Sequence, residues 1–162
     1  MKSYINGIAC ISVQPTFLTS HFLDEALKVT PEEVCYAQEP SYKEYIAPNA
    51  SRRMAKGVKM SIATATEALK EAHITTPDAI LVGTGMGCLQ DSEKFLTALI
   101  NDNEEHLTPT AFIQSTHNTV AGQIALLLQC KGENFTYVNG AVSFESALLD
   151  AKMQMEQNTI NT

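Results

Sequence analysis

The chain has 162 residues, which is long enough for one domain with a substantial core and short for two of ordinary size. Hydrophobic residues make up 44% and charged residues 18%, a composition typical of a globular protein rather than a disordered one. A formal net charge of -7 argues against nucleic-acid binding, which usually needs a basic face.

The cysteines lie far apart and form no C-x-x-C pair; they are Cys10, Cys35, Cys88 and Cys130. This spacing predicts reduced thiols, with neither a structural zinc site nor a redox motif. We therefore expect no metal and no cofactor. The amino terminus has one lysine and a short apolar run, which suits neither a signal peptide nor a membrane span. These features indicate a cytoplasmic protein that does not associate with membranes.

The first half of the chain begins with a predicted buried strand, Tyr4 to Val13, in which Gly7 allows close packing. The pattern from Phe17 to Lys28 favours one short helix, and the proline-containing stretch from Thr30 to Pro48 is expected to be irregular. Apolar residues then recur every three or four positions from Ala50 to Ala72, which predicts a long helix.

Three basic side chains, Arg52, Lys56 and Lys59, fall on one face of the opening turns of that predicted helix. An ordinary solvated face is one interpretation. The other is a docking site for an acidic partner, since charges of opposite sign steer association.

A short predicted strand, Asp78 to Val82, runs directly into the sequence Gly83-Thr84-Gly85-Met86-Gly87. A dinucleotide-binding fingerprint would need its third glycine one place later, where Cys88 stands. The glycines instead predict a tight turn that passes close to other backbone. A helix at Gln90 to Leu99 and a polar loop at Asn101 to Pro109 follow.

The stretch from Thr110 to Gly132 predicts a buried helix. Thr110 to Gln114 leads into this helix, and Gly132 ends it. Because this helix is apolar nearly all round, we expect it to be covered on both sides and to form part of an interface. A strand at Phe135 to Val138, a corner at Asn139 to Ala141 and a helix from Ser143 follow.

The last predicted helix directs Ala147, Leu148, Ala151 and Met155 inward, and residues 158–162 are expected to fray. The corner before it has the strand, small-residue turn and helix that lift a nucleophile above an α/β sheet. It presents Ala141, and alanine has no lone pair to attack with and no proton to move. A site built for covalent chemistry would therefore be empty.

The long helix, the glycine turn and the run from Asn118 through Gly122, Gly132 and Asn139 to Ala147 resemble the amino-terminal half of the β-ketoacyl synthases. These are condensing enzymes of the thiolase-like superfamily. The resemblance covers residues 1–157 as one domain. It implies an α/β layered fold, with a mixed sheet of about five strands flanked by helices.

The family's corner reads Thr-Ala-Cys, and its cysteine attacks the acyl thioester. These positions match Asn139, Gly140 and Ala141, so the resemblance places the missing nucleophile at Ala141. Ser143 and His117 are possible neighbours of position 141. The family's two histidines and one lysine, which activate the extender unit, belong to a carboxy-terminal half that we expect this chain to lack.

The resemblance implies a catalytically deficient subunit of fatty-acid, polyketide or aryl-polyene biosynthesis, similar to a chain-length factor. Such a subunit would pair with an active synthase or with itself, through the Phe135 to Val138 strand and the Asn118 to Leu128 helix. Acyl carrier protein is a further partner, through Arg52, Lys56 and Lys59.

Two alternatives remain open. One is a small acyltransferase or thioesterase that uses Cys88, Ser143 or His117, although no basic neighbour in the sequence lowers the pKa of Cys88. Ser143 lacks the Gly-x-Ser-x-Gly frame and fits a helix cap. The other alternative is a homo-oligomeric scaffold that binds acyl chains.

Overall fold

The computed structural model describes residues 2–19 and 34–162. In these residues six α-helices surround a two-stranded parallel sheet. The elements are α1 (Pro48–Ser51), α2 (Lys56–Glu71), β1 (Ala79–Gly83), α3 (Leu89–Asn101), α4 (Pro109–Ser115), α5 (Thr119–Leu128), β2 (Glu133–Tyr137) and α6 (Ser143–Glu156). The predicted α/β class is confirmed.

The two strands pair in parallel, with Leu81 of β1 opposite Phe135 of β2. Side chains alternate between the two faces of a strand. Ile80 of β1 belongs to the core cluster that also contains Ile124 of α5, whereas Gly83, of the other parity, contacts the first turn of α6. The sheet therefore lies between α5 on one face and α6 on the other.

The expected sheet of about five strands is wrong for the described residues, which contain two strands. The segment predicted as a first strand, Tyr4 to Val13, is extended but does not pair with β1. Its Ile8 N–H donates to Glu71 of α2 at 2.7 Å, and its Ser12 carbonyl accepts from Gln38 N–H at 2.8 Å. Side-chain and loop partners thus replace a strand ladder.

The core forms where α2 crosses α5 above β1. Val58 and Ile62, one turn apart on α2, are fully buried, and Ala121 and Ile124 of α5 pack in the same cluster. Burial of one Val or Ile side chain stabilises a fold by roughly 1.5–3 kcal/mol. Gly7 lies directly against the backbone of Ala68 in α2, so the close packing predicted for this glycine is confirmed.

The long predicted helix is wrong at its start, because residues 52–55 form a turn between α1 and α2. The Ala55 N–H donates to the buried side-chain oxygen of Gln114 at 3.1 Å, which satisfies a backbone group at the start of α2. Arg52 therefore lies before α2 and does not share its face with Lys56 and Lys59.

The buried helix predicted from Thr110 to Gly132 is also divided, because Thr116 is extended between α4 and α5. It ends at Leu128 followed by Gln129 in the left-handed conformation, φ 53°, and not at Gly132. Gly132 instead lies against the carbonyl of Asp78. The α5 surface is open to solvent at Leu126 and Leu127 within the described chain, and the expectation that a partner covers this side stays a prediction.

The other predicted elements are confirmed with small shifts in their ends. They are the strand before the glycine turn, the helix and polar loop after it, the strand near Phe135, the helix from Ser143 and the irregular chain at residues 34–47. Most of the helix predicted at Phe17 to Lys28 lies outside the described residues. In α6 Ala147 is buried as expected, but Leu148 is exposed.

The last residues do not fray as expected. Ile160 is buried, Asn161 N–H donates to the Asp78 carboxylate at 2.8 Å, and Asp78 N–H donates to the Thr162 carbonyl at 2.9 Å. These contacts fix the segment to the start of β1. No helix in residues 2–19 or 34–162 combines the length and the apolar character needed to cross a membrane.

Candidate functional site

The corner between β2 and α6 has the geometry that its sequence predicts. A single turn of 3-10 helix, Gly140–Val142, links β2 to α6. Gly140 adopts a left-handed conformation, φ 59°, which favours glycine. Ala141 lies in this turn and is exposed, so a methyl group projects from the strand-to-helix elbow.

Ser143 holds this corner closed. Its side chain is buried, with 3% of the residue exposed. Its hydroxyl accepts from Asn139 N–H at 2.9 Å and donates to the Gly140 carbonyl at 2.8 Å. No side-chain hydrogen bond caps α6, so the expected capping role of Ser143 is wrong. The hydroxyl proton is committed to a carbonyl, which leaves Ser143 poorly placed as a nucleophile.

The glycine turn after β1 packs directly on the corner. A Cβ at Gly83 would lie 2.5 Å from the Ser143 carbonyl oxygen, and one at Gly85 would lie 3.8 Å from the Gly140 carbonyl oxygen. Within the turn, Gly87 N–H donates to the Thr84 hydroxyl at 3.0 Å. The glycines thus permit close contact between backbones, as the sequence predicts, and bring two distant segments into one site.

His117 reaches the same region from the segment that precedes α5. Its imidazole Cδ2 would lie 3.1 Å from a Cβ at Gly87, a residue with φ 65°. The next residue, Asn118, accepts through its side-chain oxygen from the Thr136 hydroxyl of β2 at 2.8 Å. His117 is exposed and lies across the glycine turn. In the described part of the chain its ring makes no hydrogen bond to the corner.

Cys88 lies at the far end of the glycine turn and is half-buried. Burial raises the pKa of the Cys88 thiol, and the nearby Asp91 carboxylate raises it further. At neutral pH the group is therefore protonated, and a thiol is a much weaker nucleophile than a thiolate. The four cysteines are free, and the residues described include no cluster of His, Cys, Asp and Glu that would hold a metal ion.

Comparison with known proteins explains this arrangement of strand, corner and glycine turn. Residues 29–161 match the family model of the β-ketoacyl synthase amino-terminal domain. The chain belongs to this family. A search of curated proteins finds no match.

Two solved structures show the same ketosynthase fold. One is the ketosynthase ApeO in complex with its chain length factor ApeC from Xenorhabdus doucetiae, with TM-score 0.63 and 20% identity over 80% of this chain and 52% of that chain. The other is the type II polyketide acyl-carrier protein AntF in complex with its ketosynthase AntDE, with TM-score 0.57 and 15% identity over 74% and 36%. This chain thus spans about half, or about a third, of those chains.

The basic residues of the ketosynthase-like domain differ in their surroundings. Lys56 forms an ion pair with Glu39 at 2.5 Å, and Lys59 lies over the Tyr42 ring at 5.6 Å from its centroid. Arg52 is exposed in the turn before α2 and has no ion-pair partner in the described ranges. Of the three predicted partner-binding residues, the structure leaves Arg52 the most available.

Two clusters that attach the irregular chain at residues 34–47 to α2 were not predicted. In the first, Lys56 and the Tyr42 hydroxyl both contact Glu39, and the Lys56 ammonium lowers the pKa of that carboxyl. In the second, burial and a hydrogen bond with Glu67 raise the pKa of Tyr45 to about 12. The irregular segment has no periodicity, so no sequence signal pairs it with α2.

The face of the domain near β2 is incomplete. One edge of β2 pairs with β1, and the described residues provide no strand for the other edge. Phe135 of β2 and Val138 just after it are exposed, and so are Leu126 and Leu127 on α5. An open strand edge beside exposed apolar side chains is a surface suited to pairing.

Proposed function

We propose that this ketosynthase-like domain is a catalytically deficient, cytoplasmic subunit of fatty-acid, polyketide or aryl-polyene biosynthesis. It acts by pairing with an active ketosynthase and by binding acyl carrier protein. The observation that carries the proposal is the exposed methyl group of Ala141 at the strand-to-helix elbow. The chain has the scaffold that positions a nucleophile, and at that position it has no group that can form a thioester.

The surroundings of the corner support catalytic deficiency. Ser143 is buried and uses its hydroxyl to close the turn, and the pKa of Cys88 is raised by burial and by Asp91. His117 lies at the glycine turn, where it has no thiol or hydroxyl hydrogen-bonded to it among the described residues. A general base acts on a nucleophile within hydrogen-bond reach or through one water, and among the described residues no hydrogen bond joins His117 to a thiol or hydroxyl, which supports catalytic deficiency.

The pairing surface that we propose combines the free edge of β2 with the exposed apolar side chains of α5. A second strand laid along β2 would satisfy its unpaired backbone groups and cover Phe135. The partner is an active ketosynthase or a second copy of this chain. One of the similar structures is a ketosynthase with its chain length factor, which supports pairing between related subunits.

We assign the contact with acyl carrier protein to Arg52 in the turn before α2, together with Lys56 and Lys59 at the start of that helix. Lys56 and Lys59 are already engaged by Glu39 and Tyr42, so Arg52 provides most of the available charge. The other similar structure is a carrier protein bound to its ketosynthase. Carrier binding at an exposed arginine weakens with salt, because solvent-exposed charge pairs are screened.

Affinity capture from the native cell tests the proposal. We expect the tagged chain to recover a full-length ketosynthase, and Thr136→Pro on β2 to abolish that recovery, because proline removes a backbone donor. Thr136→Val is the matched control, because it keeps the backbone donor at the same position of β2. Recovery of neither synthase nor carrier protein with the unmodified chain would contradict the proposal.

A homo-oligomeric scaffold that binds acyl chains is a second candidate, favoured by an apolar cleft of about 390 Å³. The cleft lies between α2 and β1, and Leu69, Ile80 and Leu128 are among its lining residues. The test is denaturing extraction of the purified protein followed by mass spectrometry of the extract. A bound fatty-acyl species at near-stoichiometric amount supports the scaffold, and a lipid-free monomer excludes it.

A further inference from the structure

Two adjoining cavities lie between the amino-terminal and carboxy-terminal segments of the chain. The larger is the apolar cleft of about 390 Å³, and the smaller, which we call the vestibule, has a volume of about 150 Å³. Residues 79–82 of β1 all line the cleft, so it lies along the edge of that strand that does not pair with β2. Tyr4, Asn6, Met155 and Asn161 line both cavities, which therefore form one continuous site.

The walls of the cleft carry no charge. Among the described residues that line it there is no Lys, Arg, His, Asp or Glu, and Leu69, Ile80 and Leu128 provide much of its apolar surface. Burial of a hydrocarbon against such walls is favourable, because apolar surface leaves water. A charged group in the cleft would have no partner and would lose its hydration, which is costly. The cleft therefore suits a hydrocarbon chain and excludes a charged group.

The vestibule has the opposite character. Lys2, Ser3, Asn6 and Asn161 line it, and in residues 2–19 and 34–162 none of these four side chains forms a hydrogen bond or an ion pair. Together they offer an ammonium, a hydroxyl and two amide groups as donors. Hydrogen bonds from an ammonium to an anionic oxygen are among the stronger ones in proteins, so these donors suit an anionic head group.

The carboxylates closest to the vestibule in sequence have other partners. Asp78 accepts from the N–H groups of Asn161 at 2.8 Å and Thr162 at 3.1 Å. Glu156, which follows Met155, forms an ion pair with Lys152 at 3.9 Å. Neither carboxylate lines the cleft or the vestibule. The charge at the vestibule is therefore that of the Lys2 ammonium.

Both walls of the site are attached to the rest of the domain. On the amino-terminal side, Gly7 lies directly against the backbone of Ala68 in α2, and Ile8 N–H donates to Glu71 of the same helix at 2.7 Å. On the carboxy-terminal side, Ile160 is buried and Asp78 holds the segment that follows it. The space between the walls is thus formed before a ligand arrives, as in most ligand sites, which lowers the cost of binding.

We propose that the cleft and the vestibule together bind a single-chain amphiphile with an anionic head group. Its hydrocarbon chain lies in the cleft along β1, and its head group contacts Lys2. The vestibule adjoins the amino end of β1, where Asn161 bonds to Asp78, whereas the Ala141 corner adjoins the carboxyl end, where Gly83 meets Ser143. The five residues of β1 span roughly 15 Å, so the head group is bound far from position 141.

This inference extends the second candidate function, because it uses the same cleft, and it specifies the head group of the ligand. It rests neither on pairing with a ketosynthase nor on the absence of a nucleophile at Ala141. A carboxylate and a phosphate monoester share the chemistry that Lys2 would recognise. The two are separated by experiment.

Calorimetric titration with monomeric amphiphiles tests the chain and the head group separately. We expect dodecanoate and dodecyl phosphate to bind, and the tighter of the two identifies the preferred head group. Dodecyltrimethylammonium has the same chain with the opposite charge and should bind more weakly by about tenfold. Octanoate should bind more weakly than dodecanoate, by about fourfold for each methylene group removed, because each one is buried.

Charge reversal at the vestibule places the head group. Lys2→Glu should weaken the binding of dodecanoate by about tenfold and strengthen that of dodecyltrimethylammonium. A loss of folding cannot imitate this exchange of preference. Lys43→Glu makes the same change of charge at an exposed residue that lines neither cavity, and it should leave both affinities unchanged.

Two results would overturn the inference, and they differ in what else they remove. If the unmodified chain binds none of these probes at about 1 mM, the scaffold candidate fails as well, and the proposed pairing with a ketosynthase stands. If dodecanoate binds no more tightly than dodecyltrimethylammonium, or if Lys2→Glu leaves its affinity unchanged, the ligand is not recognised by an anionic head group. The inference then fails, and the scaffold candidate stands.

Discussion

Gly83 lies directly against the backbone of Ser143, with room for a hydrogen atom and none for a methyl group. A Cβ at position 83 would be 2.5 Å from the Ser143 carbonyl oxygen and 2.7 Å from the Phe144 Cα. This contact joins the end of β1 to the first turn of α6. The glycine turn and the Ala141 corner are therefore one structural unit.

Gly83→Ala should destabilise the protein by about 1–3 kcal/mol, because the new methyl group must displace backbone. Gly122→Ala is the matched control, since a Cβ at Gly122 meets no atom within 4 Å and alanine favours the interior of α5. We expect that variant to be as stable as the parent or more stable by about 1 kcal/mol. Urea unfolding measures both. Equal effects of the two substitutions would mean that β1 and α6 are not in contact.

Ser143→Ala should cost about 1–3 kcal/mol, because it leaves Asn139 N–H and the Gly140 carbonyl without their partner. Ser41→Ala, at an exposed position in the irregular segment, is the control and should have little effect. Thermal unfolding gives the comparison. A Ser143→Ala protein as stable as the Ser41→Ala protein would show that the hydroxyl does not close the corner.

The ion pair between Glu39 and Lys56 makes a small contribution to stability that depends on pH. Lys56 lowers the pKa of Glu39 below its ordinary value of 4.5, so the contribution is present above that value and is lost as the pH falls through the lowered pKa. Both side chains are partly exposed, and solvent screening limits the effect to less than about 1 kcal/mol.

Replacing Glu39 by Gln should therefore lower stability at neutral pH and flatten its decline below pH 4.5. Urea unfolding at a series of pH values from neutral to acidic measures how steeply the free energy of unfolding declines as the pH falls. Glu145→Gln, which removes an exposed carboxylate with no ion-pair partner among the described residues, should leave the slope nearly unchanged. If Glu39→Gln left the pH dependence of the free energy of unfolding unchanged, the ion pair would not contribute to stability.

Cys88 should react with iodoacetamide more slowly than the exposed Cys35, because burial and Asp91 raise the pKa of its thiol. Asp91→Asn removes the negative charge and should increase the alkylation rate at Cys88. Glu93→Gln, on an exposed position of the same helix, is the control. Peptide mapping by mass spectrometry follows each site. Faster alkylation of Cys88 than of Cys35 would revive Cys88 as a candidate nucleophile.

The sequence predicts the corner well, because the residues that build it are neighbours in the chain. A half-buried strand, a left-handed glycine and the start of a helix follow one another within residues 133–143, so local preferences suffice. The same reasoning fails at Ala55, where the side chain of the distant Gln114 accepts the N–H at the helix start. Periodicity carries no information about such a long-range bond.

The strand predicted at Tyr4 to Val13 fails for a related reason. Its composition favours an extended chain, and the chain is extended, but a strand also requires a neighbour with matching backbone groups. The bonds of Ile8 and Ser12 to Glu71 and Gln38 are set by the packing of α2 and the irregular segment. Arg52, which was predicted to lie on a basic face of the long helix, lies instead in the turn between α1 and α2. Helical periodicity in the sequence does not predict this turn.

We propose that this domain forms no acyl-enzyme because position 141 is alanine. The most direct test is the intact mass of the protein after incubation with an acyl thioester, compared with Ala141→Cys, with Cys35→Ser in both proteins to remove the exposed thiol. We predict no acyl adduct on the alanine protein and, for the cysteine variant, an adduct that peptide mapping places at residue 141. An acyl adduct on the alanine protein at Cys88 or Ser143 would contradict the proposed catalytic deficiency.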